Sequence, residues 1–337
     1  MDTCNGPDSP APTSPTPNRA SPACMPDTLA QNSLAPNQAG ATCAFNAVNA
    51  MEQNAPAPDQ VNALRLRRAM AQAHDPGPLP HIASALNARL DDLRIQPGRI
   101  LDLGGRTGTL AGLLQKRWPE ARLIRIGLEP VTVRRSNRPA GLQPAGTGHG
   151  VSPALAADLA RLPLVQASFD LVVSNMALHW CGDPLAIFRE VHRILRPEGV
   201  FLFTTIGSET LIELRHALAG LDRQRHGRIW PRVLAAPDLR QLGDALSASG
   251  LAIPVVDREL HHLVLPSVTA LLAQLRALGS GNHHHTRHPG LTGKGFVAAL
   301  DKIYHQLYPN PTRDVQATLE IYFGHAWRLE RASRTKL

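Results

Sequence analysis

No run of eighteen apolar residues occurs in this chain, so a membrane-spanning helix is not expected. The sequence opens without a basic segment followed by an apolar stretch, which argues against a secretory signal. Basic residues are nearly missing from the first 60 positions, where Arg19 stands alone against Asp2, Asp8, Asp27, Glu52 and Asp59. That balance disfavours a mitochondrial presequence. Cysteine is scarce as well: Cys4, Cys24, Cys43 and Cys181 are the only four, and no two have CxxC spacing. Neither a disulfide framework nor a zinc site is indicated, no metal ligand is assigned, and a reducing, cytoplasmic setting is expected.

Apolar residues are not lacking. They make up 43% of 337 residues, enough for the core of one large domain or two small ones. The formal net charge is +8, and because the first 60 residues carry −4, the remainder carries +12. A surface so basic suits nucleic acid, anionic lipid or an acidic protein, and composition does not choose among them. Residues 1–60 are dense in Pro, Ala, Asn, Ser and Thr, with no apolar periodicity. The expected division is therefore a disordered tail over 1–60 and one folded domain over 61–330.

Within that domain, Ile82, Leu86, Leu90 and Leu93 fall at helical spacing over 81–95. RILDL (99–103) reads as a short strand, GTLAGLLQKRW (108–118) as a helix and ARLIRIGL (121–128) as the next strand. The stretch 136–153 is rich in Gly, Pro and Ser and reads as a loop. SFDLVVSN (168–175) is a buried strand and PLAIFREVHRIL (184–195) an amphipathic helix; a turn at 196–199 then leads to the strand VFLFTTI (200–206). Helices are expected near 208–220, 237–249, 267–278 and 295–308, with strands at 254–265 and 319–327. Alternation of this kind predicts a parallel, doubly wound sheet.

The first strand runs straight into Gly104-Gly105-Arg106-Thr107-Gly108. In doubly wound sheets ligands lie at the carboxyl ends of strands, and glycine there lets backbone approach the ligand. The following helix N-terminus offers N–H groups to an anion, such as the carboxylate of S-adenosylmethionine. A nicotinamide site or a plain tight turn would look similar. Later strand ends add polar groups in order. Asp102 is placed to accept from an ammonium, Glu129 from ribose hydroxyls, and Asp158-Leu159 lies where an adenine amino group is held. Ser174-Asn175 closes the fourth strand on the same edge.

ILDLGGRTG (100–108), DLARLPL (158–164), SFDLVVSNMALHW (168–180), FREVHRILRPEGVFLFTTIGSETLIELR (188–215), GLTGK (290–294) and YFGHAW (322–327) resemble the malonyl-[acyl-carrier protein] O-methyltransferase family of biotin synthesis. The resemblance spans nearly everything after residue 80. It implies a class I methyltransferase fold, a Rossmann-like, mostly parallel sheet with an antiparallel C-terminal strand. It also implies S-adenosyl-L-methionine as cofactor, bound by Asp102, Gly104, Gly105, Gly108, Glu129, Asp158, Leu159, Ser174 and Asn175. The reaction implied is methylation of the free carboxyl of a malonyl thioester on an acidic acyl-carrier protein. A carboxylate is ionised at pH 7 and needs no general base, so no catalytic residue is nominated. Arg215, Arg223, Arg225, Arg228 and Arg232 are candidates for docking the carrier, or else form a solvated basic face. No nucleic-acid or membrane partner is expected: Asn175-Met176-Ala177-Leu178 lacks the Pro-Pro-aromatic pattern of amino-methylating DNA enzymes.

Three departures from the family stand out. Arg106 replaces a glycine, and either pairs with the cofactor carboxylate or fills the pocket. The second strand ends irregularly, with Gly127 or Glu129 where an Asp is usual. The region matching the lid, LRRAMAQAHDPGPLPH (66–81), lacks the usual Tyr and offers His74 as its nearest polar aromatic. His179-Trp180 either borders the acceptor pocket or packs beneath the lid. Cys181 and the His283–His285 and His288 tract read as structural. Two other functions remain open at this point: a protein-arginine hydroxylase resembling the mitochondrial complex I assembly factor, and a scaffold of the same fold without turnover.

Overall fold

The computed structural model describes residues 65, 68, 69, 77–105, 107–127, 154–290 and 292–330. The chain divides into Met1–Ala35 and Pro36–Leu337, and every described residue belongs to the second unit. The 1–60 tail, His74, Arg106, Glu129 and the 136–153 loop lie outside the described residues.

In chain order the elements are α1 (Leu79–Ala88), β1 (Arg99–Leu103), α2 (Thr109–Arg117), β2 (Arg122–Gly127), β3 (Ala154–Ala156) and β4 (Phe169–Asn175). They continue with α3 (Pro184–Ile194), β5 (Leu195–Ile206), α4 (Ile212–His226), α5 (Leu239–Ala248), β6 (Ala252–Leu265), α6 (Val268–Ala277), α7 (Phe296–Leu307) and β7 (Val315–Arg328). One sheet runs in the order β3-β2-β1-β4-β5-β7-β6. The pairings from β3 to β5 are parallel, β7 runs antiparallel to β5, and β6 antiparallel to β7. This is the doubly wound, mostly parallel sheet that the strand–helix alternation predicts, with its antiparallel C-terminal strand.

Parallel strands here are apolar on both faces because helices cover both. On one face Ile187, Phe188 and Val191 of α3 and Leu242 and Leu246 of α5 pack against Phe201 and Phe203 of β5. On the other, Ile82 and Leu86 of α1 and Leu110 and Leu114 of α2 pack against Ile100, Leu171 and Leu202. A third core belongs to a cap: Leu214 and Leu218 of α4, Val268 and Leu271 of α6, and Leu300, Ile303 and Tyr304 of α7 close over Val315 and Ala317.

Buried acids fasten the cap to the sheet. Glu213 of α4 accepts from Thr318 N at 2.9 Å and from Thr318 Oγ1. Glu320 is 1% exposed, accepts from Glu209 N at 2.7 Å and pairs with Arg258. Thr210 Oγ1 donates to Glu320 O and accepts from Glu320 N. Backbone groups satisfied in this way hold segment 207–213 along β7 and set α4 above the carboxyl edge of the sheet.

Differences from the sequence expectation are local. α4 runs to His226 instead of ending near Gly220, which lies within the helix against Ile303 of α7. Its true end is Gly227, in left-handed backbone at φ 68°. The expected 196–199 turn survives as a bulge within β5: Phe169 pairs with Leu195 but Leu171 with Val200, and Glu198 takes φ 62°. β7 starts at Val315, four residues earlier than expected, since its pairing with β6 extends out to form the floor of the cap. Among the described residues no helix is long and apolar enough to cross a membrane.

Candidate active site

The turn after β1 is built to expose backbone. Gly104 has φ 83°, and an added Cβ would sit 2.1 Å from the Cβ of Ala177. At Gly105 the added Cβ would fall 2.0 Å from Asp102 Oδ2. Any side chain at either position would meet another, so the concavity stays bare. Gly108, at φ 74°, then caps α2, with no side-chain hydrogen bond to the helix N-terminus.

Asp102 lies one residue before the end of β1 and is fully buried. Neither carboxylate oxygen has a hydrogen-bond partner among the described residues. Its counter-charge is the buried Arg125 of β2, whose Nε is 3.6 Å away, an ion pair too long for a hydrogen bond. Burial pushes the carboxyl up to about 6, against the opposing pull of Arg125. Arg125 Nη2 also donates to Gly105 O at 2.8 Å, fastening the glycine turn to the neighbouring strand. In the sequence Arg125 is one of two arginines in an otherwise apolar strand.

Asn175 ends β4 and bridges two elements. Its Oδ1 accepts from Thr204 Oγ1 at 2.8 Å, and its Nδ2 donates to Leu79 O at 3.2 Å, holding the start of α1 at the site. Thr204 also receives the Met176 N–H, at 3.0 Å on Oγ1 and 3.1 Å on the carbonyl. Met176 is in left-handed backbone at φ 53°, a strained conformation fixed by those bonds.

Asp102, the glycine turn, Asn175 and Met176 line one cavity of about 550 Å³. Asp102, the glycine turn and Asn175 form one end, with His179 and Trp180 beside them. The cavity continues into an apolar chamber under the cap, walled by Leu211, Leu214, Leu263, Leu271, Leu275 and Phe296. Its volume is in the range of small-molecule sites.

Of the nine predicted cofactor residues, the fold gathers Asp102, Gly104, Gly105, Gly108 and Asn175 around this cavity. Leu159 is fully buried behind it, against the glycine turn. Ser174 is fully buried in β4 and does not line it, because adjacent strand residues leave on opposite faces. Asp158 is exposed, and its Oδ1 accepts from Ala160 N at 3.0 Å in a local turn. Glu129 is among the undescribed residues. His179 and Trp180 border the cavity, and their rings are 4.5 Å apart.

The arginine cluster expected as one docking face divides. Arg223, Arg225 and Arg228 are exposed, whereas Arg215 donates to Ser208 O and Arg232 clasps Asp222. His283 and His284 are buried, and each spends Nε2 on a backbone carbonyl, of Gly279 at 2.9 Å and Val233 at 3.2 Å. Burial pushes the Cys181 thiol up to about 12, with the charge of Asp158 adding to it, which leaves it unreactive at neutral pH.

Residues 101–203 match a family described as a methyltransferase domain. The sheet resembles that of the YcgJ protein of Bacillus subtilis, at a TM-score of 0.50 and 16% identity over 73% of this chain and 99% of that one; this likeness concerns the fold. The malonyl-[acyl-carrier protein] O-methyltransferase of Laribacter hongkongensis (strain HLHK9) is 38% identical over 260 residues, 76% of this chain and 84% of that protein. The enzyme of the same name from Methylovorus sp. (strain MP688) is 35% identical over 71% of this chain and 78% of its own length. Identity at this level over most of both chains, joined to this sheet order and glycine turn, places the chain in the malonyl-[acyl-carrier protein] O-methyltransferase family of S-adenosyl-L-methionine-dependent methyltransferases.

Proposed function

We propose that this chain methylates the free carboxyl of a malonyl thioester delivered by acyl-carrier protein, in keeping with relatives named malonyl-[acyl-carrier protein] O-methyltransferase. The observation that carries the reading is the single cavity joining the glycine turn and Asp102 to an apolar chamber. One end suits a charged nucleoside and the other an acyl thioester arm.

The residues fit S-adenosyl-L-methionine. Asp102 is a buried carboxylate without a hydrogen-bond donor among the described residues, as a cationic ligand group requires. Gly104 and Gly105 leave a cradle that a Cβ would fill. When bound, this cofactor supplies a methyl group activated by a sulfonium. In the proposed assignment Asp102 accepts from its ammonium, and the backbone at Gly105 and Gly108 faces its carboxylate. Asn175, tied to Thr204 and Leu79, holds the wall between cofactor and acceptor. Met176, His179 and Trp180 border the same space. No residue need remove a proton, because the acceptor carboxylate is already ionised. The chain contributes alignment and exclusion of water. Exposed Arg223, Arg225 and Arg228 are the proposed contacts for the acidic carrier.

Intact-mass measurement on malonyl carrier protein incubated with the chain and S-adenosyl-L-methionine tests this. A gain of 14 Da on the malonyl form, absent from the acetyl form, is expected. An unchanged malonyl carrier would overturn the substrate, and rescue of a biotin auxotroph lacking its carboxyl methyltransferase gives a second readout.

A further inference from the structure

We propose that Arg232 recognises the acceptor's free carboxylate and so sets the substrate specificity; this rests on the malonyl-thioester reading above. A carboxylate entering an apolar chamber loses its hydration, and the loss must be offset by a cation and hydrogen bonds. Among the described residues only three charged side chains line the cavity: Asp102, Arg232 and Arg276. Asp102 carries the wrong sign. Arg276 is exposed, and its Nε donates to Leu272 O at 3.2 Å.

Arg232 is held differently. Its side chain is 17% exposed, and its Nε and Nη2 donate to Asp222 at 2.8 and 2.6 Å. Asp222 is fully buried and also accepts from Trp230 N at 3.2 Å. The guanidinium carbon lies 5.0 Å from the centre of the Phe296 ring, another cavity residue. One edge of the fork is thus fixed by an acid and one face by a ring. Nη1 has no acceptor among the described residues. A guanidinium anchored on one edge presents the other to a planar carboxylate without further loss of side-chain freedom. Its loop is joined to the site's far wall: Pro231 O accepts from Asn282 Nδ2 at 3.0 Å, Val233 O from His284, and the neighbouring His283 ring is 6.0 Å from Trp180.

Methylation removes the charge that this edge reads. Arg232 therefore holds the acid more tightly than its methyl ester and favours release of product.

The test compares malonyl-pantetheine, its methyl ester and malonyl-coenzyme A on the full chain and on the double variant Arg232→Gln/Asp222→Asn, in which a neutral pair replaces the ion pair. Calorimetry with S-adenosyl-L-methionine shows that the variant is folded. The wild type should bind malonyl-pantetheine about tenfold or more tighter than the ester, the size of a charge-assisted hydrogen bond. In the variant the two should agree within about twofold, with cofactor affinity unchanged. Discrimination kept by a variant that binds cofactor normally overturns the assignment and leaves the substrate reading standing. So does a penalty confined to malonyl-coenzyme A, which would show Arg232 reading phosphate. A wild-type chain that leaves every malonyl thioester unmethylated overturns both. Should the double variant fail to fold, Arg232→Lys keeps the charge but loses the fork, and its discrimination should fall at least threefold; unchanged discrimination there overturns the assignment.

Discussion

Replacing Asp102 by Asn separates two roles that the geometry joins in one residue, counter-ion of Arg125 and ligand of the cofactor ammonium. The carboxyl stands at about 6 in the folded chain against an ordinary 3.8, with burial as the larger cause and Arg125 opposing it. Ionised at pH 7, it costs the folded state about 3 kcal/mol relative to its neutral form, a balance that already contains the attraction of Arg125. The sign follows from proton counts. Between 3.8 and about 6 the folded chain binds the proton more tightly than the unfolded one, so stability falls as pH rises through that window. Asp102→Asn removes this dependence and should stabilise the cofactor-free chain at pH 7 by up to about 3 kcal/mol, several degrees in Tm. Affinity for S-adenosyl-L-methionine should fall about 10- to 150-fold, the loss of one charge-assisted hydrogen bond. In the wild type that affinity should weaken as pH drops through about 6, where Asp102 takes up its proton. Thermal scans from pH 4 to 8 with calorimetry at each pH make the measurement. A variant less stable at pH 7 that keeps full cofactor affinity would show Asp102 to be only the partner of Arg125, and the reasoning would fail.

Gly104→Ala meets both a positive φ and the Ala177 side chain, and should cost about 2–4 kcal/mol by thermal denaturation. Adding Ala177→Gly should recover only the steric part of that cost. Thr204→Val removes the donor to Asn175 and an acceptor of Met176 N–H, so a loss of about 1–3 kcal/mol and a higher KM are expected together in one set of assays. His216, His284 and His325 are each held below 6.5, chiefly by burial, so folded chain resists their protonation. Their contribution to stability is present above that value and declines as pH falls beneath it; in Asp102→Asn, freed of the opposing carboxyl, the decline should be the steeper one. Deleting residues 1–60, read from composition as a tail outside the domain, should shift Tm by no more than about 2 °C.

The elements legible in advance are those whose signal is local. β1, α2, β4 and α3 are short apolar segments of clear period, closed by glycine, asparagine or an N-capping Asp183, and they begin and end within a residue or two of expectation. That Asp102, Gly104, Gly105, Gly108 and Asn175 would gather at one cavity was readable for a related reason. In a parallel sheet, strand direction alone carries the residues at strand ends to one edge. Position in the chain did not tell Ser174 from Asn175, since that depends on which face of β4 turns to the cavity. It was equally silent on Asp158, whose carboxylate is satisfied by its own turn.

What the chain order could not decide is every contact between distant segments. Arg125 reaches Gly105, Thr204 reaches Asn175, and Glu213 reaches Thr318 across 20, 29 and 105 positions. Arg232 looked like one more surface cation in a basic run, and became a cavity residue only through Asp222 and the packing of α4, α6 and α7. Local sequence sets period and turns, because those depend on backbone sterics and nearest neighbours. Burial and charge pairing depend on what else arrives in the same space, and only the closed tertiary structure determines that.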